Sequence, residues 1–252
     1  MSTPTPNARV DERDTMFARM ARVEGTGPYR DYYGRRPDLR KIDDRLRAMP
    51  GLCHPGGLRY DPEISAQADA WFEAIGGIEP DESTVRCWAD VMRESGDLSP
   101  VLRAMARDLG AVAAGTTAVD PAYVYSHKGR LDQDYGRRLE PDHGWALVFL
   151  VEMDHDAMRR APDAPVIRES ARQYYRAAAI ARTVAAALEQ AGYDASAQYD
   201  AHYDVILPPL AVAAGLGELG RNNLLVADRY GSRVRIGAVT LDRPLEQAEP
   251  ID

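Results

Sequence analysis

"WALVFLVEM", residues 145 to 153, constrains the fold more than any other stretch. It is apolar at every position up to Glu152. A half-exposed strand alternates apolar and polar residues, whereas a strand buried on both faces reads as a continuous apolar run. The run is also far short of the roughly 18 residues that a membrane span needs, and no other run approaches that length. The reading is a central strand with cover on both sides. The cover is supplied by helices. Residues 166 to 191 form the strongest one, ended by Gly192 at the position where a left-handed residue stops a helix. Residues 64 to 76 and 82 to 94 read as two more, the second starting at Asp81 or Ser83. "SPVLRAMARDLGAVAAG" (99 to 115) reads as a further helix, capped by Ser99, with Pro100 in its first turn and an end at Gly110 or Gly115. "PAYVYS" (121 to 126), "YDASAQYD" (193 to 200) and "RVRIGAVTLD" (233 to 242) have strand character. The long polar loop "HKGRLDQDYGRRLEPDHG" follows the first of these, and long loops in compact domains are often functional. The fold class is α+β with few strands.

The acidic balance narrows the function. The chain carries a net charge of −8, with lysine only at Lys41 and Lys128. A nucleic-acid binder should show a basic face, so nucleic acid is excluded as a partner. The two cysteines, Cys53 and Cys87, form no CxxC and are too few for an iron–sulfur cluster, which usually takes four thiolates. Two isolated cysteines fit the reducing cytoplasm, and the N-terminus has no secretory h-region. None of the five histidines stands in HxxxH or HExxH spacing, so a zinc or non-haem iron site is not expected. Residues 1 to 62 read as an extended, partly helical N-terminal arm with turns at Pro37, Pro50 and Pro55, and residues 63 to 252 as the core.

"AGLGELGRNNLLV" (214 to 226) contains a literal G-x-G-x-x-G at Gly215, Gly217 and Gly220. A dinucleotide-binding turn needs a strand leading in and a helix leading out. Pro208 and Pro209 interrupt the incoming segment, and Gly231 comes too soon for a crossover helix. Two readings remain on spacing alone: a tightly packed turn, or a loop whose bare backbone lets a ligand approach closely.

"HYDVILPPLAVAAGLGELGRNNLLVADRYGSRVRIGAVTLDRPL" resembles the corrinoid-binding core of reductive dehalogenases. The resemblance extends upstream through "YRDYYGRRPDLRKIDDRLRAMPGL", "YDPEIS" and "YSHKGR". A similar AGLG-type segment occurs, more distantly, in epoxyqueuosine reductase. The resemblance implies a nitroreductase-like α+β core that binds cobalamin, with Gly215, Leu216, Gly217, Glu218, Gly220, Arg221, Asn222 and Asn223 as the cofactor loop. His127, in the polar loop, is a further candidate cofactor contact.

The implied reaction replaces carbon–halogen by carbon–hydrogen in an organohalide, with a tyrosine as proton donor and a cation beside it. A cation next to a phenol favours the phenolate and makes the phenol a better acid. By position the cation falls on Arg235, and the tyrosine on Tyr174 or Tyr175, which point about 100° apart on a helix. His202 matches a polar pocket position. The family continues into a ferredoxin-like module with CxxCxxCxxxCP runs, which this sequence does not contain. Electrons are therefore expected from a separate donor protein carrying iron–sulfur clusters or flavin, and the face that module would cover is expected to be open for protein association. A cobalamin carrier or a truncated dehalogenase remnant, and a flavin nitroreductase-like enzyme, are the alternative readings.

Overall fold

A computed structural model of the chain describes residues 9–51 and 54–248, so Cys53 lies outside the described residues. The central run forms β2 (Trp145–Glu152), preceded in the chain by β1 (Ala113–Ala118). With β3 (Ala195–Gln198) and β6 (Val234–Leu241) these make a four-stranded antiparallel sheet in the order β1-β2-β6-β3. A separate hairpin pairs β4 (Glu218–Leu219) with β5 (Leu225–Val226).

β2 is buried from Ala146 to Val151 because it serves two cores at once. Leu147, Phe149 and Val151 face one cluster, in which α5 (Glu82–Glu94), α6 (Leu98–Asp108) and α8 (Pro165–Ala191) bury Met92, Leu102, Met105, Val184 and Leu188. Ala146, Val148 and Leu150 face the other, with Leu210 and Ala211 of α9 (Leu207–Ala213). α4 (Pro62–Gly76) lies outside, packed on α8. α8 stops where Gly192 turns left-handed at φ +98°. No helix of the described residues is long and apolar enough to cross a membrane.

Three expectations need correction. The segment read as one helix over 99 to 115 is helix only to Asp108, and its second half is β1. Its cap is Asp97, which accepts from the Ser99 amide at 2.9 Å. The Ser99 hydroxyl is buried and instead accepts from the Glu246 amide at 2.7 Å, tying the C-terminal segment down. "PAYVYS" is a 3-10 turn followed by a single bridge, Val124 to Val205, rather than a strand. The paired prolines sit in the first turn of α9, where missing amides cost nothing.

The N-terminal segment adds α1 (Met16–Met20), α2 (Gly27–Arg35) and α3 (Pro37–Arg47), and the short α7 (His155–Met158) precedes α8. Three tyrosines, Tyr29, Tyr32 and Tyr33, form the small core of α2 and α3. Asp43 is fully buried among them, paired with Arg19 and accepting from Tyr33 Oη at 2.9 Å. Burial pushes the Asp43 carboxyl up, but the Arg19 and Tyr33 bonds outweigh it and hold the group below the usual 3.8. A carboxyl lowered by folding stabilises above its unfolded value and loses that contribution as pH falls through the folded one. The segment is therefore expected to loosen below about pH 3.8, seen as limited proteolysis within residues 11–47 before the sheet melts; an acid transition that spares this segment would contradict the account.

Candidate functional site

A cavity of about 340 Å³ opens where β6 enters the sheet. Volumes of this order suit small-molecule ligands. Val205, Ile206, Leu207 and Pro208 form one apolar wall, leading into α9. Leu224 and Leu225, on the returning arm of the hairpin, form another, and Val234, Arg235 and Ile236 bring in the start of β6. The polar groups at the cavity are Tyr125, Arg130, Tyr174, Asp200, Tyr203 and Arg235, with Thr15 and Ser232.

Strand alternation decides which way Arg235 points. Val234 and Ala238 belong to the α9 core, whereas Val239 and Leu241 belong to the α8 core. Arg235 shares the parity of the second pair and so faces α8. Its guanidinium lies over the Tyr174 ring, 4.7 Å from the centroid. Such a cation–π contact contributes about 0.5–2 kcal/mol, more as water is excluded. Arg235 Nη2 donates to Ser170 Oγ, one turn before Tyr174 on the same helix, and Nη1 reaches the Val234 carbonyl at 3.4 Å. Arg235 Nε is buried and has no hydrogen-bond partner among the described residues, nor does a carboxylate pair with this guanidinium.

The helix separates the two candidate tyrosines. Tyr174 lines the cavity. Tyr175, a third of a turn on, packs against Trp71 of α4 with ring centroids 5.1 Å apart, and does not line it. The other wall residues come from loops laced together by backbone bonds. Tyr125 donates its amide to Asp204 at 2.8 Å, and Ile206 to Tyr123 at 2.7 Å. Lys128 is buried, pairing with Asp204 at 2.8 Å and donating to the Tyr203 carbonyl at 2.7 Å. The N-terminal segment joins the same loop: the Ser126 amide donates to Val10 at 2.8 Å, and the Gly129 amide to Glu12 Oε2 at 2.6 Å. This lacing sets Thr15 and Phe17 at the cavity, where the Arg130 guanidinium lies 5.2 Å from the Phe17 ring centroid.

Burial pushes the Tyr125 phenol up, reinforced by Tyr203 and Glu12. Burial does the same to Tyr203, opposed by Arg130. Both therefore stay protonated at neutral pH and can act as donors. Burial would lower Arg130, but its 2.9 Å pair with Asp200, together with Tyr203, raises it overall. The cavity thus combines apolar walls, neutral phenols, one ion pair and one cation without a carboxylate partner.

The remaining candidates lie elsewhere. The glycine segment forms the turn after α9 and the outgoing arm of the hairpin. Gly217, at φ +152°, leaves no room for a side chain, because an added Cβ would stand 2.4 Å from the Val226 carbonyl oxygen. Neither Gly215, Leu216, Gly217, Glu218 nor Gly220 lines the cavity. Arg221, Asn222 and Asn223 are exposed at the hairpin tip, where the Asn222 side chain accepts from the Leu224 amide at 3.2 Å. His202 is exposed and stacks on Tyr199 at 4.9 Å, while Asp200 and Tyr203 on either side reach the cavity. His127 lines a separate, open depression with Arg9, Ser126 and Arg138. No trio of described His, Cys, Asp or Glu residues is arranged to hold a metal ion. Phe17, Leu219, Leu224 and Val226 leave apolar surface exposed on the hairpin and α1.

The fold, a sheet covered by helices on both sides, is shared with solved reductive dehalogenases. The chain is related to them in sequence as well. A tetrachloroethene reductive dehalogenase of Desulfitobacterium hafniense is 29% identical over 193 residues, covering 61% of this chain and 34% of the relative. One from Dehalobacter restrictus is 36% identical over 105 residues, 41% of this chain and 18% of the relative. The chain thus spans about a third or less of these relatives. No family model matches it. Among solved structures, the catabolic reductive dehalogenase NpRdhA in complex with 3-bromo-4-hydroxybenzoic acid superposes with a TM-score of 0.67 at 24% identity, over 97% of this chain and 32% of that one. A reductive dehalogenase structure described as suggesting a mechanism for B12-dependent dehalogenation matches equally.

Proposed function

We propose that this chain is the corrinoid-binding catalytic part of a reductive dehalogenase, removing halogen from an organohalide with electrons from a separate iron–sulfur or flavin protein. The observation that carries the reading is the Arg235 guanidinium over Tyr174 in the wall of an apolar cavity. The overall change consumes two electrons and one proton, and yields a carbon–hydrogen bond and a halide ion. Tyr174 holds the proton at Oη and gives it to the substrate carbon. Arg235 stabilises negative charge as the proton leaves and as halide departs. The apolar walls exclude water, which strengthens both interactions.

The residues present fit cobalamin. The buried, partnerless Arg235 Nε seeks an acceptor, and the exposed Leu219, Leu224 and Val226 offer an apolar flank beside the cavity. Arg221, Asn222 and Asn223 at the hairpin tip would meet the amide-bearing rim of the macrocycle. Bound cobalamin would supply a reducible cobalt centre that delivers the electrons.

Absorption spectroscopy tests the cofactor. The chain, incubated separately with hydroxocobalamin and with FMN and then desalted, is expected to retain corrinoid bands near one equivalent and no flavin. Retained flavin without corrinoid would overturn the reading in favour of a nitroreductase-like enzyme.

A further inference from the structure

Arg235 lies over a ring in the cavity wall without a carboxylate partner among the described residues, and its anchorage identifies a further residue. An arginine side chain has many rotamers, and at a strand end little backbone confines it. Three other buried or half-buried guanidiniums are held by carboxylates: Asp43 pairs with Arg19, Asp132 with Arg22 and Asp200 with Arg130. At Arg235 no carboxylate plays this part among the described residues. The Val234 carbonyl, at 3.4 Å, lies on the adjacent residue and makes a long contact. Among the described residues, the one side chain that hydrogen-bonds the guanidinium is that of Ser170.

The placement of Ser170 follows from helix geometry. Ser170 and Tyr174 stand four residues apart on α8, so they share a face and lie one above the other. A guanidinium that donates to the Ser170 hydroxyl is thereby held above the ring of Tyr174. A neutral hydroxyl anchors the cation without neutralising it, whereas an aspartate would hold it equally well and cancel its charge.

We infer that Ser170 is a positioning residue: its hydroxyl fixes the Arg235 guanidinium over Tyr174 while leaving the full positive charge for the reaction. The inference rests on the dehalogenase reading for its catalytic consequence, but its geometric core does not need the cofactor. Alanine at 170 keeps the helix, since alanine is the best helix former, and removes only the anchor. Threonine keeps a hydroxyl at the same place and is the rescue variant.

The test uses the chain with 13C-labelled tyrosine, the Tyr174 ring resonances being assigned by their loss in Tyr174→Phe. A cation over the ring shifts these resonances, so Arg235→Gln marks where they lie without it. Ser170→Ala is expected to move them towards the Arg235→Gln position, and Ser170→Thr to leave them near the native one. In the cobalamin-loaded protein, Ser170→Ala should lower kcat for halide release about tenfold with KM changed less than about twofold, the loss of one charge-assisted hydrogen bond. Native resonances in Ser170→Ala, with Arg235→Gln shifted, would overturn the positioning role alone. Identical resonances in the native protein and Arg235→Gln would overturn the Arg235–Tyr174 pairing on which the dehalogenase reading rests. Equal loss in Ser170→Thr and Ser170→Ala would reduce Ser170 to a packing residue.

Discussion

Tyr174→Phe is expected to lower halide release from a halogenated phenol by at least about a hundredfold, and Tyr175→Phe by less than about threefold. The contrast follows from the roughly 100° that separates adjacent residues of α8. Tyr174 stands in the cavity beneath the Arg235 guanidinium, whereas Tyr175 faces α4 against Trp71. Removing the Tyr174 hydroxyl deletes the proton source while the ring, and with it the cation–π contact, remains. The loss should therefore appear in kcat, because the missing interaction is made only as the proton moves. Steady-state halide release by the cobalamin-loaded, chemically reduced protein measures it. A Tyr174→Phe variant as active as the native chain, or an equal loss in Tyr175→Phe, would remove Tyr174 from the role.

Gly217→Ala is expected to destabilise the fold by about 2–5 kcal/mol, the combined scale of a strained backbone and an overpacked contact. The residue sits at φ +152°, and an added Cβ would lie 2.4 Å from the Val226 oxygen and 3.0 Å from the Ala227 Cα. These are backbone atoms of the opposing hairpin arm, so nothing flexible can yield. The arms would part, carrying Leu224 and Leu225 away from the cavity. Gly220→Ala should cost under about 1 kcal/mol, since its nearest neighbour is the Asn222 side chain at 2.9 Å, on an exposed tip that can move. Denaturant midpoints of the two variants, without cofactor, check the difference. Equal stability would mean that Gly217 is not held by packing, and would leave ligand approach as its reason.

The elements with strong periodicity were legible, and the site was legible in part. The run at 145–153 reads as a strand buried on both faces because both of its faces are apolar, and the structure gives it a core on each side. β1 was hidden because "AVAAG" is rich in the best helix former. Tertiary pairing overrides that propensity: β1 registers along β2, and a Cβ at Gly115 would stand 2.1 Å from the Ala214 oxygen, so α9 packs directly on the strand backbone. At the site, Arg235 and the tyrosine pair came from the resemblance to reductive dehalogenases rather than from spacing, and the helix face separates Tyr174, which lines the cavity, from Tyr175. Tyr125, Arg130, Asp200, Tyr203 and Phe17 were not foreseen. They come from three separate segments, and loop convergence leaves no spacing in a sequence. The signals nearest to hand were the polar loop that holds Arg130 and the candidate His202, which Asp200 and Tyr203 flank.

The central claim is that this chain itself directs the reduction of a carbon–halogen bond. Halide release by the chain loaded with one equivalent of cobalamin, under a chemical reductant, measured against the same concentration of free cobalamin, tests it most directly. The account predicts that the loaded chain exceeds the free cofactor by at least about a hundredfold, the contribution expected of a positioned general acid. Release equal to that of free cobalamin would contradict it, and would leave the chain as a carrier.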